Sequence, residues 1–300
     1  MVEDIDKIFP DNREKYQNES KLRQVQLVEL RILRIFDYIC NKHNIDYWLD
    51  WGTLLGAARH GGFIPWDDDI DVAVPCKNYK KLIAILKKEL PDDLFVQTLE
   101  TDSEFSNRHL TRIRDNYSTL GNNNNYGTSY HNGIFIDILP VYKLPEDKLL
   151  RFILLKLYRL LISPRFKLKK LKNNKINHKR VIRIIKWGIR RYISTFVCLF
   201  MPFNSLEEKI LNIYKIGNNY IYGYHMDTYD KNYFDESDLF PLNTIEYEGF
   251  IFSAPNNIDK YLTIQYGNYK ELPPIENRKP HHINLNEVEI FRPSYPKYIL

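Results

Sequence analysis

Two aspartates, Asp69 and Asp71, stand two residues apart in the alternating run Asp69-Ile70-Asp71-Val72-Ala73-Val74. Strict alternation predicts a strand, and a period of two sends both carboxylates to one face. Two carboxylates on one face repel each other unless a cation sits between them. Hard oxygen ligands at this spacing suit Mg2+, with Mn2+ as the alternative, because Mg2+ takes one or two carboxylates together with phosphate oxygens and water. Upstream, Gly52-Thr53 precedes a short predicted helix whose free N–H groups and positive end can hold a phosphate. A phosphate cradle followed by a metal dyad is equipment for attack at a phosphorus atom.

The neighbouring side chains each have a functional and a plain reading. Arg59 offers a planar fork that fits phosphate oxygens, against a structural salt bridge. His60 is either a substrate contact or a hydrogen-bonded loop residue. Trp66, beside the loop, is a candidate for stacking on a base, whereas Trp48 and Trp51 read as core aromatics. Asp67 and Asp68 either orient the loop or touch metal or substrate, and Asp68 is carried forward as a substrate contact. His281 and His282 make a tempting pair but have no spacing to other ligands.

Behind these residues stand the elements that must position them. A helix is predicted from Ser20, as N-cap, to about His43, with apolar residues at three- and four-residue spacing. A short strand at 46–50 leads to a glycine turn at 52–56 and a helix to about His60. The strand at 69–74 precedes a helix at 77–90, and further strands are expected at 94–99, 108–115 and 133–139, with the loop 121–127 among them. The fold class is α/β (α+β): a mixed sheet flanked by helices, its late strands mostly antiparallel. Farther on, helices are expected at 152–162 and 181–200, strands near 219–225 and 245–253, and a helix near 257–266; the tail after Pro273 shows little pattern.

Composition narrows the class. Across 300 residues, 44% hydrophobic and 27% charged content is ordinary for a globular chain and excludes wholesale disorder or a polytopic membrane protein. The start is polar and acidic where a secretory signal would be basic and then apolar. Three cysteines far apart (Cys40, Cys76, Cys198) exclude a disulfide framework and a cysteine-rich zinc site, and fit a reducing cytoplasm. The net charge of +5 hides an asymmetry, because residues 148–206 carry 16 Lys and Arg and no acid, while the other 241 residues carry 27 basic against 38 acidic. An anionic partner, a membrane surface or nucleic acid, is the expectation for that segment. Its longest charge-free stretch, 192–206, is 15 residues, short of the roughly 20 that a spanning helix needs, so the segment would lie on a surface.

The run Gly52-Thr53-Leu54-Leu55-Gly56-Ala57-Ala58-Arg59-His60, continued by Gly62-Phe63-Ile64-Pro65-Trp66-Asp67-Asp68-Asp69-Ile70-Asp71, resembles the signature of the LicD family, also called the fukutin-related family. Gly133-Ile134-Phe135-Ile136-Asp137-Ile138-Leu139-Pro140, Glu248-Gly249-Phe250, Pro255, Tyr261-Leu262 and Tyr266-Gly267 also look like that family. The resemblance covers most of 20–140 and 240–275 and leaves the basic segment out. It implies a nucleotidyltransferase-like fold, a CDP-activated donor, and transfer of phosphocholine or a related alcohol phosphate such as ribitol phosphate to a sugar of a surface glycan. It implies that Asp69 and Asp71 bind the metal and that Asp137, on a neighbouring strand, completes the site. Asp137 would also be placed to accept the proton of the attacking hydroxyl, against the plain reading of an edge-strand charge facing water.

The organisation expected is a catalytic core at 1–147, a basic helical insertion at 148–206, and a C-terminal part at 207–300 that completes the core and the acceptor side. Three functions compete. The first is Mg2+-dependent transfer of an alcohol phosphate to a glycan or lipid-linked glycan, by a cytoplasmic enzyme peripheral at the inner face of a membrane through 148–206, with no nucleic acid partner. The second is a nucleotidyltransferase that places a nucleotide on a small molecule, protein or nucleic acid. The third is a non-enzymatic membrane-peripheral scaffold, against which the intact acidic set argues.

Overall fold

The computed structural model describes residues 5–102, 105, 110–120, 131–161, 189, 192, 220–224, 232–281 and 283–291. The strands are β1 (Trp48–Leu49), β2 (Ile70–Pro75), β3 (Leu94–Gln97), β4 (Thr111–Asp115), β5 (Ser118–Thr119), β6 (Phe135–Pro145), β7 (Tyr220–Tyr224), β8 (Tyr233–Asp235), β9 (Asn243–Tyr247), β10 (Phe250–Ala254) and β11 (Glu289–Ile290). The helices are α1 (Ile5–Ile8), α2 (Lys21–Lys42), α3 (Trp51–His60), α4 (Cys76–Glu89), α5 (Lys148–Leu161), α6 (Glu236–Leu239) and α7 (Ile258–Tyr266). The chain divides into two compact units, 1–141 with 237–300, and 142–236.

In the first unit the strands run in the order β1-β2-β6-β4-β3. The α/β class holds, and the sheet is mixed: β2 and β6 are parallel, while β1 on β2, β4 on β6 and β3 on β4 are antiparallel. A parallel pair needs both its faces covered. The core strands read accordingly, with Ile70, Val72, Ala73, Val74, Ile136 and Ile138 all buried. The long helix α2 starts where its N-cap predicts: the Ser20 hydroxyl accepts from the Arg23 N–H at 3.2 Å, a cap contributing about 1 kcal/mol. Its apolar stripe, Val25, Val28, Ile32, Ile35, Phe36 and Ile39, is buried.

Three features depart from the sequence expectation. Gly52 and Thr53 lie inside the first turn of α3 rather than in a turn before it. The stretch expected as one strand at 245–253 is a hairpin, β9 and β10, turned at Glu248-Gly249, where Glu248 has a φ of 53° and Gly249 of 78°. The tail is also ordered against the core: β11 pairs with β5, and the Phe291 N–H donates to the Tyr117 carbonyl. The expected loop 121–127, the helix 181–200 apart from the helical residues 189 and 192, and the cysteine Cys198 lie outside the described residues.

In the second unit β7 and β8 pair antiparallel, and the Arg151 guanidinium of α5 donates to the carbonyls of Pro145 and Glu146 and covers the Tyr233 ring at 4.4 Å. Among the described residues no helix is long and apolar enough to cross a membrane.

Gly133, in the approach to β6, is fixed by close backbone packing, because a Cβ there would lie 1.9 Å from the Asp115 carbonyl oxygen. Gly133→Ala should therefore cost about 3 kcal/mol of stability in urea unfolding, the upper end of overpacking effects. A loss below about 0.5 kcal/mol would show that the strand can move aside.

Candidate active site

The parallel register of β2 on β6 sets Asp71 directly beside Asp137. Antiparallel β4 then sets Arg112 beside Asp137 on its other flank. Arg112 uses this position, with Nε donating to Asp137 Oδ1 at 2.6 Å and Nη2 to Oδ2 at 3.1 Å, while its guanidinium stacks on the Phe135 ring at 3.8 Å. Asp137 is buried on a central strand and not at a sheet edge facing water.

Asp71 is half-buried at the neighbouring strand. Burial, then the charges of Asp69, Asp137, Asp50 and Asp67, push its carboxyl well above the ordinary range. Its backbone is pinned from two directions: the Asp71 N–H donates to the Thr53 hydroxyl at 2.8 Å, and its carbonyl accepts from the Asp50 N–H at 3.1 Å. Thr53, expected as a phosphate contact, thus holds the strand that carries Asp71.

Gly52 has a comparable role. A Cβ on Gly52 would lie 2.7 Å from Asp67 Oδ2, so the missing side chain is the space in which the Asp67 carboxylate sits. Asp67 lies against the positive end of α3, yet burial and the Asp69 and Asp68 charges raise its pKa to about 8. The oxygens of Asp67, Asp68 and Asp69 gather within 4.8 Å of one another, which is the acidic group within one ion's reach among the described residues. The expected set Asp69, Asp71 and Asp137 is thus divided, with Asp69 in this group and the other two side by side in the strands.

Asp68, expected at substrate, is engaged by the C-terminal tail. It is fully buried and accepts the backbone N–H of His281 at 3.1 Å and of Ile283 at 2.7 Å, clamping the C-terminal tail to the acidic loop. His281 therefore takes part through its backbone, with its side chain exposed, and His282 lies outside the described residues. Arg59 is engaged similarly: Nη1 donates to the carbonyls of Tyr269 at 2.9 Å and Glu271 at 3.2 Å, so this arm of the predicted phosphate fork ties the segment after α7. The His60 ring accepts from Arg59 Nε, and burial followed by the Arg59 charge lowers its pKa, which keeps it neutral. Trp66 is half-buried, edge-on to His60 and covered by the Arg278 guanidinium at 5.4 Å from its ring.

Three residues at this centre went unremarked in the sequence. Asp50 is fully buried at the N-cap of α3 and accepts from Trp51 N–H, Tyr261 Oη–H and Gln265 Nε2–H; Trp48 Nε1 donates in turn to Tyr261 Oη. An aspartate just before a predicted helix was the available signal. Arg112 was legible only as a residue of an alternating strand, since its partner depends on the pairing of β4. Glu29, on the buried face of α2, reads in sequence as an interruption of an apolar stripe.

The mixed sheet thus lays two aspartates side by side near the N-terminal ends of β2 and β6, with an acidic run entering β2. The family model described as the LicD/FKTN/FKRP nucleotidyltransferase domain matches residues 44–150. The chain is 30% identical over 268 residues to the lipopolysaccharide cholinephosphotransferase LicD of Haemophilus influenzae, covering 87% of this chain and 96% of that protein. The chain belongs to the LicD family and is a transferase of that kind. Over a short stretch of 30 residues, 10% of this chain and 6% of the other, it is 60% identical to the human ribitol 5-phosphate transferase FKRP. It is 26% identical over 121 residues, 40% of this chain and 9% of the other, to the yeast mannosyltransferase regulator 4.

The raised carboxyl of Asp67 carries a pH signature. Its folded pKa of about 8 lies above the unfolded value of about 3.9, so ionising it opposes folding. Its stabilising, protonated form is fully present below about pH 4 and is lost as the pH rises through 8. In metal-free buffer, Asp67→Asn should flatten the loss of stability between pH 5 and pH 8 in urea titrations; an unchanged slope would show that Asp67 does not carry it.

Proposed function

We propose that this enzyme transfers phosphocholine, or a closely related alcohol phosphate, from a CDP-activated donor to a sugar hydroxyl of a cell-surface glycan precursor. The reading is supported by the full-length similarity to a protein named lipopolysaccharide cholinephosphotransferase and by the short similarity to a ribitol 5-phosphate transferase. The single observation that carries it at the level of chemistry is the register that sets Asp71 beside Asp137 while the carboxylates of Asp67, Asp68 and Asp69 gather at the entry to the same strand. Such a hard-oxygen set fits Mg2+ or Mn2+, with Asp69 and Asp71 as the residues to hold it and Asp137 joining them. When bound, the cation would neutralise the donor's diphosphate and stabilise the departing CMP.

The chain's own residues do the rest. Thr53 and Asp50 hold the backbone of Asp71, so its carboxylate needs little reorganisation when substrate arrives. Both oxygens of Asp137 accept from Arg112, and each keeps a second lone pair with which Asp137 can join the cation or take the acceptor's proton. The Arg112 guanidinium, beside the acidic centre, has the planar geometry that matches phosphate oxygens and is a candidate donor contact alongside Arg59. The nucleotidyltransferase alternative shares the fold, but the similarity along nearly the whole chain lies with the phosphocholine enzyme.

α5 supports a peripheral position at an anionic membrane. Leu149, Phe152 and Ile153 are 67%, 57% and 51% exposed, beside Lys148 and Lys156. An exposed apolar face with lysines next to it is the pattern of an interfacial helix, and each basic residue near an anionic leaflet adds about 1 kcal/mol. Vesicle sedimentation should show preference for anionic over neutral lipid, with Phe152→Asp/Ile153→Asp reducing it several-fold; binding indifferent to lipid charge would contradict the docking.

The activity is tested by release of CMP from CDP-choline with a glycan acceptor. Asp69→Asn and Asp71→Asn should each lower turnover about a thousandfold, the size of losing a principal electrostatic contributor, while leaving the fold intact because they remove charge from a crowded acidic centre. Substantial turnover in either variant would remove it from the cation site.

A further inference from the structure

Glu29 is a fully buried acid in the middle of α2, and neither of its carboxylate oxygens has a hydrogen-bond partner among the described residues. A buried, unpartnered carboxylate is costly, so its retention calls for a physical reason. Its surroundings supply one. Gln26, one turn earlier on the same helix face, donates through Nε2 to the Asp67 carbonyl at 2.9 Å, so this face of α2 looks onto the acidic loop. The charges felt most by Glu29, after burial itself, are those of Asp69, Asp68 and Asp67. Tyr247, whose hydroxyl is also buried and feels the Glu29 charge first among its neighbours, makes no hydrogen bond to it.

We propose that Glu29 is a fourth carboxylate of the cation centre, reaching from α2 to the divalent cation held at the Asp67–Asp69 loop and β2. The inference rests on the cation reading above and deepens it by drawing in a residue from outside the signature run. A carboxylate placed between a helix and an acidic loop, with both oxygens unsatisfied, has the lone pairs that a hard cation or its bound waters require. Glu29 would then fix how α2 sits over the loop when the cation is present, coupling the long helix to the state of the site. Its position on a rigid 22-residue helix gives that ligand a firm support that the loop aspartates lack.

The test is Mn2+ binding to the full chain by calorimetry, together with melting of the metal-free protein. Glu29→Gln and Glu29→Leu are expected to weaken Mn2+ binding at least tenfold, the lower bound for losing a partner of a metal site. Both should melt, without metal, at or above the wild-type temperature, because an unpaired buried acid has been removed. Asp71→Asn serves as the control that loses binding. Wild-type affinity in both Glu29 variants, with loss in Asp71→Asn, overturns the inference and leaves the cation reading in place. A lowered metal-free melting temperature with unchanged affinity also overturns it, and assigns Glu29 to the fold. Absence of Mn2+ binding by the wild type overturns both.

Discussion

The parallel pairing of β2 with β6 forces two carboxylates, Asp71 and Asp137, to occupy adjacent places in one sheet. Neighbouring strands lie about 4.8 Å apart, and two like charges near that distance at an effective dielectric of 20 repel by roughly 3 kcal/mol. Much of what surrounds the pair can be read as a response to that repulsion. Arg112 brings a positive charge onto Asp137 from the opposite flank, and Asp71 takes up a proton more readily than an ordinary aspartate. The backbone on either side of Asp71 is tied down by Thr53 and Asp50, so the charges cannot relax apart by moving the strand.

The same constraint explains why distant pieces of the chain return to this place. Asp68 gathers the tail through two N–H groups, Arg59 ties the stretch after α7, and Glu248 in the β9–β10 turn accepts from Arg23 at 2.6 Å and from the Phe63 N–H at 3.1 Å. Asp50, deep under α7, is satisfied by Tyr261 and Gln265 of that helix. The loop that carries three consecutive aspartates is thus held by residues from 23 to 283, and the C-terminal third serves as the clamp on a site whose acids are all encoded before residue 140.

How much of this could be read in advance follows the range of the interactions. Local signals were sufficient for α2 with its Ser20 cap, for β2 by its alternation, and for α4 and α7 within a residue or two. The signature run and the later stretch 133–140 led, by resemblance, to the expectation that Asp69, Asp71 and Asp137 share one site. What alternation could not express was strand pairing: whether Asp137 faced water or Asp71 depended on β6 lying parallel to β2, a contact 66 residues apart in register. The partners of Arg112 and Arg59 were hidden for the same reason, since an arginine's partner is decided by tertiary placement and not by its own neighbours in sequence. Glu29 was hidden because a single acid on an apolar helix face looks like noise until its surroundings are known.

The most direct test of the account is calorimetric binding of CDP-choline, CDP-ribitol and CDP to the full chain, with and without Mg2+. The account predicts Mg2+-dependent binding in which a CDP-alcohol is preferred over CDP, because the acidic residues would hold a cation that neutralises the diphosphate. Failure of every cytidine diphosphate to bind, with Mg2+ present and the protein folded, would contradict the donor assignment and the role given to Asp69, Asp71 and Asp137.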